Sequence, residues 1–117
     1  MCPADQRIVM ERTYNKLVRD NIPDIISSNE ETPVTRILND EEYKKALEEK
    51  LYEEYQEVLS AGGTERCEEL SDMIEVIRSL AKLENKSLED IISLAEEKRA
   101  KRGGFDNRIY LEKVIEK

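Results

Sequence analysis

A Gly-Gly pair at residues 62–63 separates two long helical patterns and constrains the fold more than any other feature. Before the pair, apolar residues recur at spacings of three and four from residue 43 to residue 58. After it, a second apolar stripe runs from residue 67 to residue 81. Glycine commonly ends a helix, and so short a break makes consecutive helices run antiparallel. We therefore predict an αα-hairpin over residues 40–84.

Capping patterns indicate where the helices begin. Asn39 is followed three residues later by Glu42, and Ser87 is followed by an acidic residue at the same spacing, so both patterns resemble capping boxes. Thr64 is the predicted cap of the second hairpin helix. The helix after Ser87 has a basic last turn and stops at a second Gly-Gly pair, 103–104. A short helix is predicted from Pro23 to about residue 28, because proline suits a first helical turn.

Two short segments have the composition of strands. Residues 32–38 and 106–114 are rich in β-branched and aromatic side chains, and we expect them to pair as a small flanking sheet. Residues 1–13 show no period and are predicted to be a mobile tail before a single domain, 14–117. The predicted fold class is therefore mainly α, of the four-helix-bundle type, with a flanking pair of strands.

The chain is short and poor in apolar residues, which favours assembly with a second copy. Its 117 residues are 38% hydrophobic and 39% charged, and tryptophan is absent. The apolar sector of the second hairpin helix covers more than half of its circumference, which is wider than one packing face needs. We expect a homodimer or homotetramer, with the bundle completed by the third long helix or by a second chain.

Charge and residue types exclude several classes of function. A net charge of −8 argues against binding to nucleic acid polymers or anionic membranes. Histidine is absent, which removes histidine metal sites and the Ser-His and Cys-His nucleophile pairs. Two cysteines do not make a disulfide framework. No apolar run reaches the roughly 18 residues of a membrane span, and no signal-peptide pattern opens the chain, so we expect a cytoplasmic protein.

Four acidic residues lie at matching distances on either side of the Gly-Gly pair. Residues 53–72 contain seven acidic residues. Counted from Gly63, Glu57 and Glu69 are each six residues away, and Glu54 and Asp72 are each nine, so each pair lies at one height along an antiparallel hairpin. Helical periodicity places Glu54 and Glu69 within the apolar stripes and the other two at their edges.

Two interpretations of these four carboxylates stay open. Carboxylates at core-facing positions are costly unless they are paired or bind a metal, and all-oxygen ligation suits Mg²⁺ or Mn²⁺. Alternatively, they form solvated helix faces with pairing at i,i+4, since acidic pairs arise easily in a glutamate-rich chain. Di-iron bundles of the ferritin type use Glu-x-x-His motifs, which a chain without histidine does not contain.

Four segments together resemble a known family. YNKLVRDNIPDII at 14–26, KLYEEYQE at 50–57, EELSD at 68–72 and KRGGFDNRIYLE at 101–112 are similar to the MazG-like all-α nucleoside triphosphate pyrophosphohydrolases. The resemblance extends over residues 14–113 and points to a house-cleaning subgroup. It implies cleavage of a noncanonical or surplus NTP or dNTP between the α and β phosphates, giving a monophosphate and pyrophosphate.

The resemblance also implies roles for particular residues. Mg²⁺ ligation and catalysis, including the orientation or deprotonation of the attacking water, map onto Glu54, Glu57, Glu69 and Asp72. Lys16 and Arg19 resemble basic positions near the family's N-terminus and are expected to bind substrate. The other expected substrate cations are Lys50, which lies one helical turn before Glu54, and the basic cluster Lys98, Lys101 and Arg102.

Other roles and functions remain open for these positions. Lys50 could instead pair with Glu54 or Glu57, and the cations of the last long helix could simply complement the helix dipole. One alternative function is a helical oligomerisation or nucleotide-sensing module without hydrolysis. A second is a phosphoribosyl-ATP pyrophosphatase, which usually differs from this chain at both ends.

Overall fold

The structure, a computed structural model, describes residues 10–116. It contains four helices: α1 (Ile22–Ser28), α2 (Asp40–Ser60), α3 (Gly63–Leu83) and α4 (Leu88–Arg102). The prediction of a mainly α protein is confirmed. Residues 1–9 of the predicted tail lie outside the described part of the chain, whereas residues 10–13 are exposed and have no regular structure.

The helices α2 and α3 form the predicted hairpin. Asn39 caps α2 in a capping box with Glu42, because each side chain accepts a hydrogen bond from the other residue's backbone N–H. The helix ends at Ser60, and α3 begins at Gly63, whose φ of 56° lies in the left-handed region that glycine adopts freely. The prediction that Thr64 caps α3 is wrong. The N-cap is Gly62, which has no side chain to accept a bond.

The core lies between the two hairpin helices. Leu47 and Val58 from α2 and Val76 from α3 are buried there. The same face of α2 buries a charged residue, Glu54. The hairpin thus combines a small apolar core with one inward-facing carboxylate.

The last helix, α4, diverges from the hairpin. Ser87 caps it in the predicted capping box with Asp90. Ala81 and Leu88 are buried at the junction with α3, but among the helices of the described chain α4 contacts only α3. The molecule is 88 Å long, although a helix of the length of α2 spans only about 32 Å. Residues 10–116 of one chain therefore do not close a four-helix bundle, because α4 packs against α3 alone.

The predicted flanking sheet is wrong. Between residues 10 and 116 no strand is present, and residues 32–38 and 106–114 are irregular. The divergence of α4 explains the difference, because it carries the second segment away from the hairpin. Without a partner strand or a covering layer, β-branched composition does not produce a stable pair of strands.

None of the helices within residues 10–116 has the length and apolar character needed to cross a membrane.

Candidate metal centre

The hairpin brings three carboxylates together. One carboxylate oxygen from each of Glu54, Glu69 and Asp72 lies within 4.8 Å of the other two. Glu54 comes from α2, and the other two come from α3, three residues apart on adjacent positions of one helix face. The antiparallel register predicted from the Gly-Gly pair therefore does place acids of both helices at one height.

Glu54 is the most deeply placed member of this cluster. Only 7% of the residue is exposed, and Lys50 Nζ lies 3.4 Å from its Oε1. The ammonium is four residues earlier on α2, so the two groups meet along one side of the helix. A buried carboxylate needs a compensating charge, and Lys50 supplies part of it. The alternative role of Lys50, an ion pair with Glu54, is thus present in the structure.

The cluster carries an excess of negative charge. The pKa of Glu69 is raised from its ordinary value, first because the carboxyl group is partly removed from water, and then because Glu57, Asp72, Glu54 and Glu68 repel its ionised form. A cation among these groups would remove that repulsion. Converging oxygen donors with unbalanced negative charge fit a hard divalent ion such as Mg²⁺ or Mn²⁺.

Glu57 is placed differently from the other three predicted ligands. It is exposed on α2 and does not belong to the set of oxygens within 4.8 Å. Its charge is nevertheless close enough to raise the pKa of Glu69. The structure therefore brings together Glu54, Glu69 and Asp72 and leaves Glu57 at their edge.

The segment before α1 places one cation on this centre and a second cation beside it. Arg19 donates from Nη2 to Asp72 Oδ1 at 2.7 Å, across 53 residues of sequence. Lys16 Nζ lies 3.3 Å from Oε1 of Glu53, and Lys50 Nζ lies 3.4 Å from the same oxygen. The N-terminal basic residues that the family resemblance selected thus lie against the acidic face of the hairpin.

Glu53 was missed as a member of this site by sequence reasoning. Periodicity assigns it to the solvated side of α2, yet it is half-buried between Lys16 and Lys50. Lys50, three residues earlier, was an available local signal, because residues at i,i+3 are neighbours on a helix. Lys16 gave no such local signal, because its contact with Glu53 depends on how the N-terminal segment crosses the hairpin.

The basic end of α4 is not brought to the acidic centre within one chain. Lys98, Lys101 and Arg102 are exposed in the last two turns of α4, and α4 does not contact α2. Within residues 10–116 none of the three forms an ion pair with a carboxylate of the hairpin. Of the predicted substrate cations, Arg19 and Lys50 thus contact the centre, Lys16 lies beside it, and the other three lie elsewhere.

Comparison with known proteins assigns no family. No family model matches this chain, and no solved structure matches it. The chain is 50% identical over 46 residues to an uncharacterized protein of Mycolicibacterium smegmatis. That alignment covers 39% of this chain and 47% of the relative, so the chain matches about half of the relative's length.

Proposed function

We propose that this protein is a Mg²⁺-dependent nucleoside triphosphate pyrophosphohydrolase that cleaves the bond between the α and β phosphates. The observation that carries the proposal is the convergence of the oxygens of Glu54, Glu69 and Asp72 within 4.8 Å between two antiparallel helices. Four segments resemble the MazG-like enzymes in the same order along the chain, and this resemblance supplies the reaction class. The substrate class is a noncanonical or surplus NTP or dNTP.

Glu54, Glu69 and Asp72 would hold the ion, with Glu57 at the edge of the same face. A bound Mg²⁺ supplies positive charge beside the phosphate oxygens and acidifies water at the site. Mn²⁺ has the same preference for oxygen ligands and could replace it. The surroundings of Glu69 support this assignment. Its pKa is raised first by partial removal from water and then by repulsion from the neighbouring carboxylates, and a divalent cation would relieve that repulsion.

The basic residues at the centre have two tasks in this proposal. Arg19 holds the Asp72 carboxylate through one guanidinium nitrogen, and its exposed remaining donors can meet phosphate oxygens. Lys50 lies at hydrogen-bonding distance from Glu53 and balances Glu54. The protein thereby fixes its carboxylates before substrate binds, and such preorganised charge is the main contribution that proteins make to phosphoryl chemistry.

The assembly proposed for this function is a homodimer or a homotetramer. A single chain provides one hairpin and a diverging α4, and α2 and α3 keep large apolar side chains exposed. Pairing two hairpins would complete a four-helix bundle around a common apolar layer.

The product of hydrolysis tests the reaction. A panel of NTPs and dNTPs is incubated with the full-length protein and Mg²⁺, and pyrophosphate and orthophosphate are measured separately. We expect pyrophosphate and the nucleoside monophosphate in equal amounts. Orthophosphate would contradict the position of the cut. Mg²⁺-dependent binding without any product would support the non-hydrolytic nucleotide-sensing module instead.

Variants of the centre test which residues carry the activity. Asp72→Asn and Glu54→Gln keep the side-chain size but remove a charge, so we expect pyrophosphate release to fall by at least about a hundredfold. Glu49→Gln, an exposed glutamate on the same helix as Glu54, is the matched control and should keep full activity. Helical content measured by circular dichroism should be equal in all variants. Unchanged turnover in both centre variants would refute the assignment.

A further inference from the structure

Two ion pairs hold the chain before α1 against the acidic side of the hairpin. Arg19 contacts Asp72 of α3, and Lys16 contacts Glu53 of α2. Leu17, between the two cations, is half-buried. Within residues 10–116, α1 itself contacts none of the other helices. These side-chain contacts therefore set the path that residues 14–19 take over the hairpin.

An exposed aromatic ring lies at the start of this segment. Tyr14 is 62% exposed, and Lys16 Nζ lies 5.8 Å from the centroid of its ring, within the range of a cation–π contact. Asn15, between them, has a φ of 46°, in the left-handed region that asparagine adopts more readily than most residues. The chain then bends at Lys16. This local conformation keeps the Tyr14 ring beside the ammonium group that Glu53 holds.

A series of short contacts connects this ring to the acidic centre. Lys16 Nζ lies 3.3 Å from Oε1 of Glu53, and Lys50 Nζ lies 3.4 Å from an oxygen of Glu53 and 3.4 Å from an oxygen of Glu54. Glu54 is the buried member of the converging carboxylates. Tyr14 therefore lies at the edge of the proposed metal site, on the side from which the N-terminal cations reach it.

The order of groups along this segment matches the order of groups in a nucleoside triphosphate. Such a molecule has a planar base at one end and an anionic triphosphate at the other. The segment presents an aromatic ring at Tyr14, an ammonium group at Lys16 and a guanidinium group at Arg19, which already touches Asp72 of the centre. Five residues separate the ring from the guanidinium group, at most about 17 Å of chain, and an extended nucleoside triphosphate can bridge that distance.

The other exposed aromatic side chains of residues 10–116 lie away from the centre. Tyr52 and Tyr55 form a tilted pair with ring centroids 6.3 Å apart. At about 100° per residue, both lie on the side of α2 that faces away from Lys50. Phe105 and Tyr110 follow the end of α4, which does not contact α2. Tyr14 is thus the exposed ring that a nucleotide at the centre can reach.

We propose that Tyr14 stacks on the base of the nucleotide substrate and thereby selects nucleoside triphosphates over inorganic polyphosphates. Every base has a π face, so an aromatic side chain can bind it without reading its hydrogen-bonding groups. Lys16, next to the ring, then faces the phosphates that follow the sugar. This role rests on the proposed function, because it takes the acidic centre as the site of the triphosphate.

Calorimetric titration tests the stacking separately from hydrolysis. The probes are the α,β-methylene analogues of ATP, GTP, CTP and UTP, in which a carbon replaces the bridging oxygen of the proposed cut, and inorganic tripolyphosphate, which has no base. In Mg²⁺, Tyr14→Ala should raise the dissociation constant of the tightest-binding analogue about tenfold and leave that of tripolyphosphate unchanged. Tyr14→Phe keeps the ring and should bind both probes as the wild-type protein does.

Two further variants separate the base contact from other effects. Tyr52→Ala removes an exposed tyrosine on the far side of α2 and should change neither dissociation constant. Lys16→Ala should weaken both probes, because it removes a phosphate contact. An equal loss for tripolyphosphate in Tyr14→Ala would mean that the ring only positions Lys16, and would overturn the stacking, as would an unchanged affinity for the analogue.

The same titrations distinguish failure of this inference from failure of the proposed function. If the analogues bind but natural triphosphates give no pyrophosphate, the proposed function fails, and the dissociation constants of the Tyr14 variants still decide the stacking. If natural triphosphates are cleaved and Tyr14→Ala binds the analogues as tightly as the wild-type protein does, only the stacking is refuted. A wild-type protein that binds none of the analogues would overturn both.

Discussion

At the scale of single residues, the acids of the hairpin differ in what surrounds them. Glu54 is buried and balanced by Lys50, and Asp72 is held by Arg19. Among residues 10–116 no cation lies close enough to Glu69 to lower its pKa. Burial without a partner favours the neutral form of a carboxyl group, and neighbouring negative charges act in the same direction. The unfavourable free energy of bringing these carboxylates together therefore acts mainly on the ionised form of Glu69.

The stability of the protein should depend on pH through Glu69. Its pKa is higher in the folded chain than the ordinary value of 4.5, so the folded state binds more protons than the unfolded state between these two values. The free energy of unfolding therefore falls as the pH rises through that window, and the destabilisation persists at pH 7. In Mg²⁺-free buffer, Glu69→Gln should raise the urea midpoint at pH 7 and leave it nearly unchanged at pH 4.

The matched control for this measurement is Glu49→Gln, an exposed glutamate on α2. It should change neither midpoint. A lower midpoint for Glu69→Gln at pH 7 would show that the charge of Glu69 stabilises the folded chain, and would contradict the repulsion inferred from its surroundings.

At the scale of elements, the turn between α2 and α3 sets the register of the centre. The turn occupies two residues between Ser60 and Gly63, and Gly63 adopts a φ of 56°. Its neighbour, Gly62, has a φ of −137°, which any residue can adopt. A change in the length or conformation of this turn would move the acids of α3 relative to Glu54. The backbone conformation of Gly62 and Gly63 therefore controls the distances between the carboxylates of the two helices.

Replacing each glycine by alanine should show which of the two positions requires glycine. Gly63→Ala should destabilise the protein by about 1 kcal/mol, because a Cβ is unfavourable in the left-handed region. Gly62→Ala is the control and should have a much smaller effect, since neither position has atoms close enough to clash with an added Cβ. Denaturant unfolding measures both. Equal effects at the two positions would mean that the left-handed conformation of Gly63 does not matter.

At the scale of the whole molecule, one chain is a hairpin with extensions rather than a closed bundle. Its buried apolar residues are confined to the hairpin and the α3–α4 junction, and many large apolar side chains stay exposed. So small a core provides little stability by itself. A ligand that binds only the folded state should therefore increase the free energy of unfolding by a noticeable fraction.

Magnesium should raise the melting temperature of the protein. A ligand present at 100 times its dissociation constant stabilises the folded state by about 2.7 kcal/mol, which corresponds to a shift of several degrees in a domain of this size. NaCl at matched ionic strength is the control for screening of the acidic surface. The shift should be largely lost in Asp72→Asn. Equal melting temperatures in MgCl₂ and NaCl would indicate that the acidic centre binds no divalent ion.

Local sequence determined the helices and much of the centre. Asn39 and Ser87 identified two helix starts because a capping box involves residues only three positions apart. The Gly-Gly pair and the 3.6-residue period were enough to place Glu54 level with acids on α3, because helix geometry converts residue number directly into height and direction.

Only the tertiary structure decided which groups meet across the chain. The contact of Arg19 with Asp72 and the position of Lys16 depend on the path of the N-terminal segment over the hairpin. The predicted strands failed for the same kind of reason. Residues 32–38 and 106–114 have the composition of strands, but pairing depends on where α4 carries the second segment. Helical hydrogen bonds form between residues close in sequence, whereas strand pairing and ion pairs between distant segments depend on the course of the whole chain.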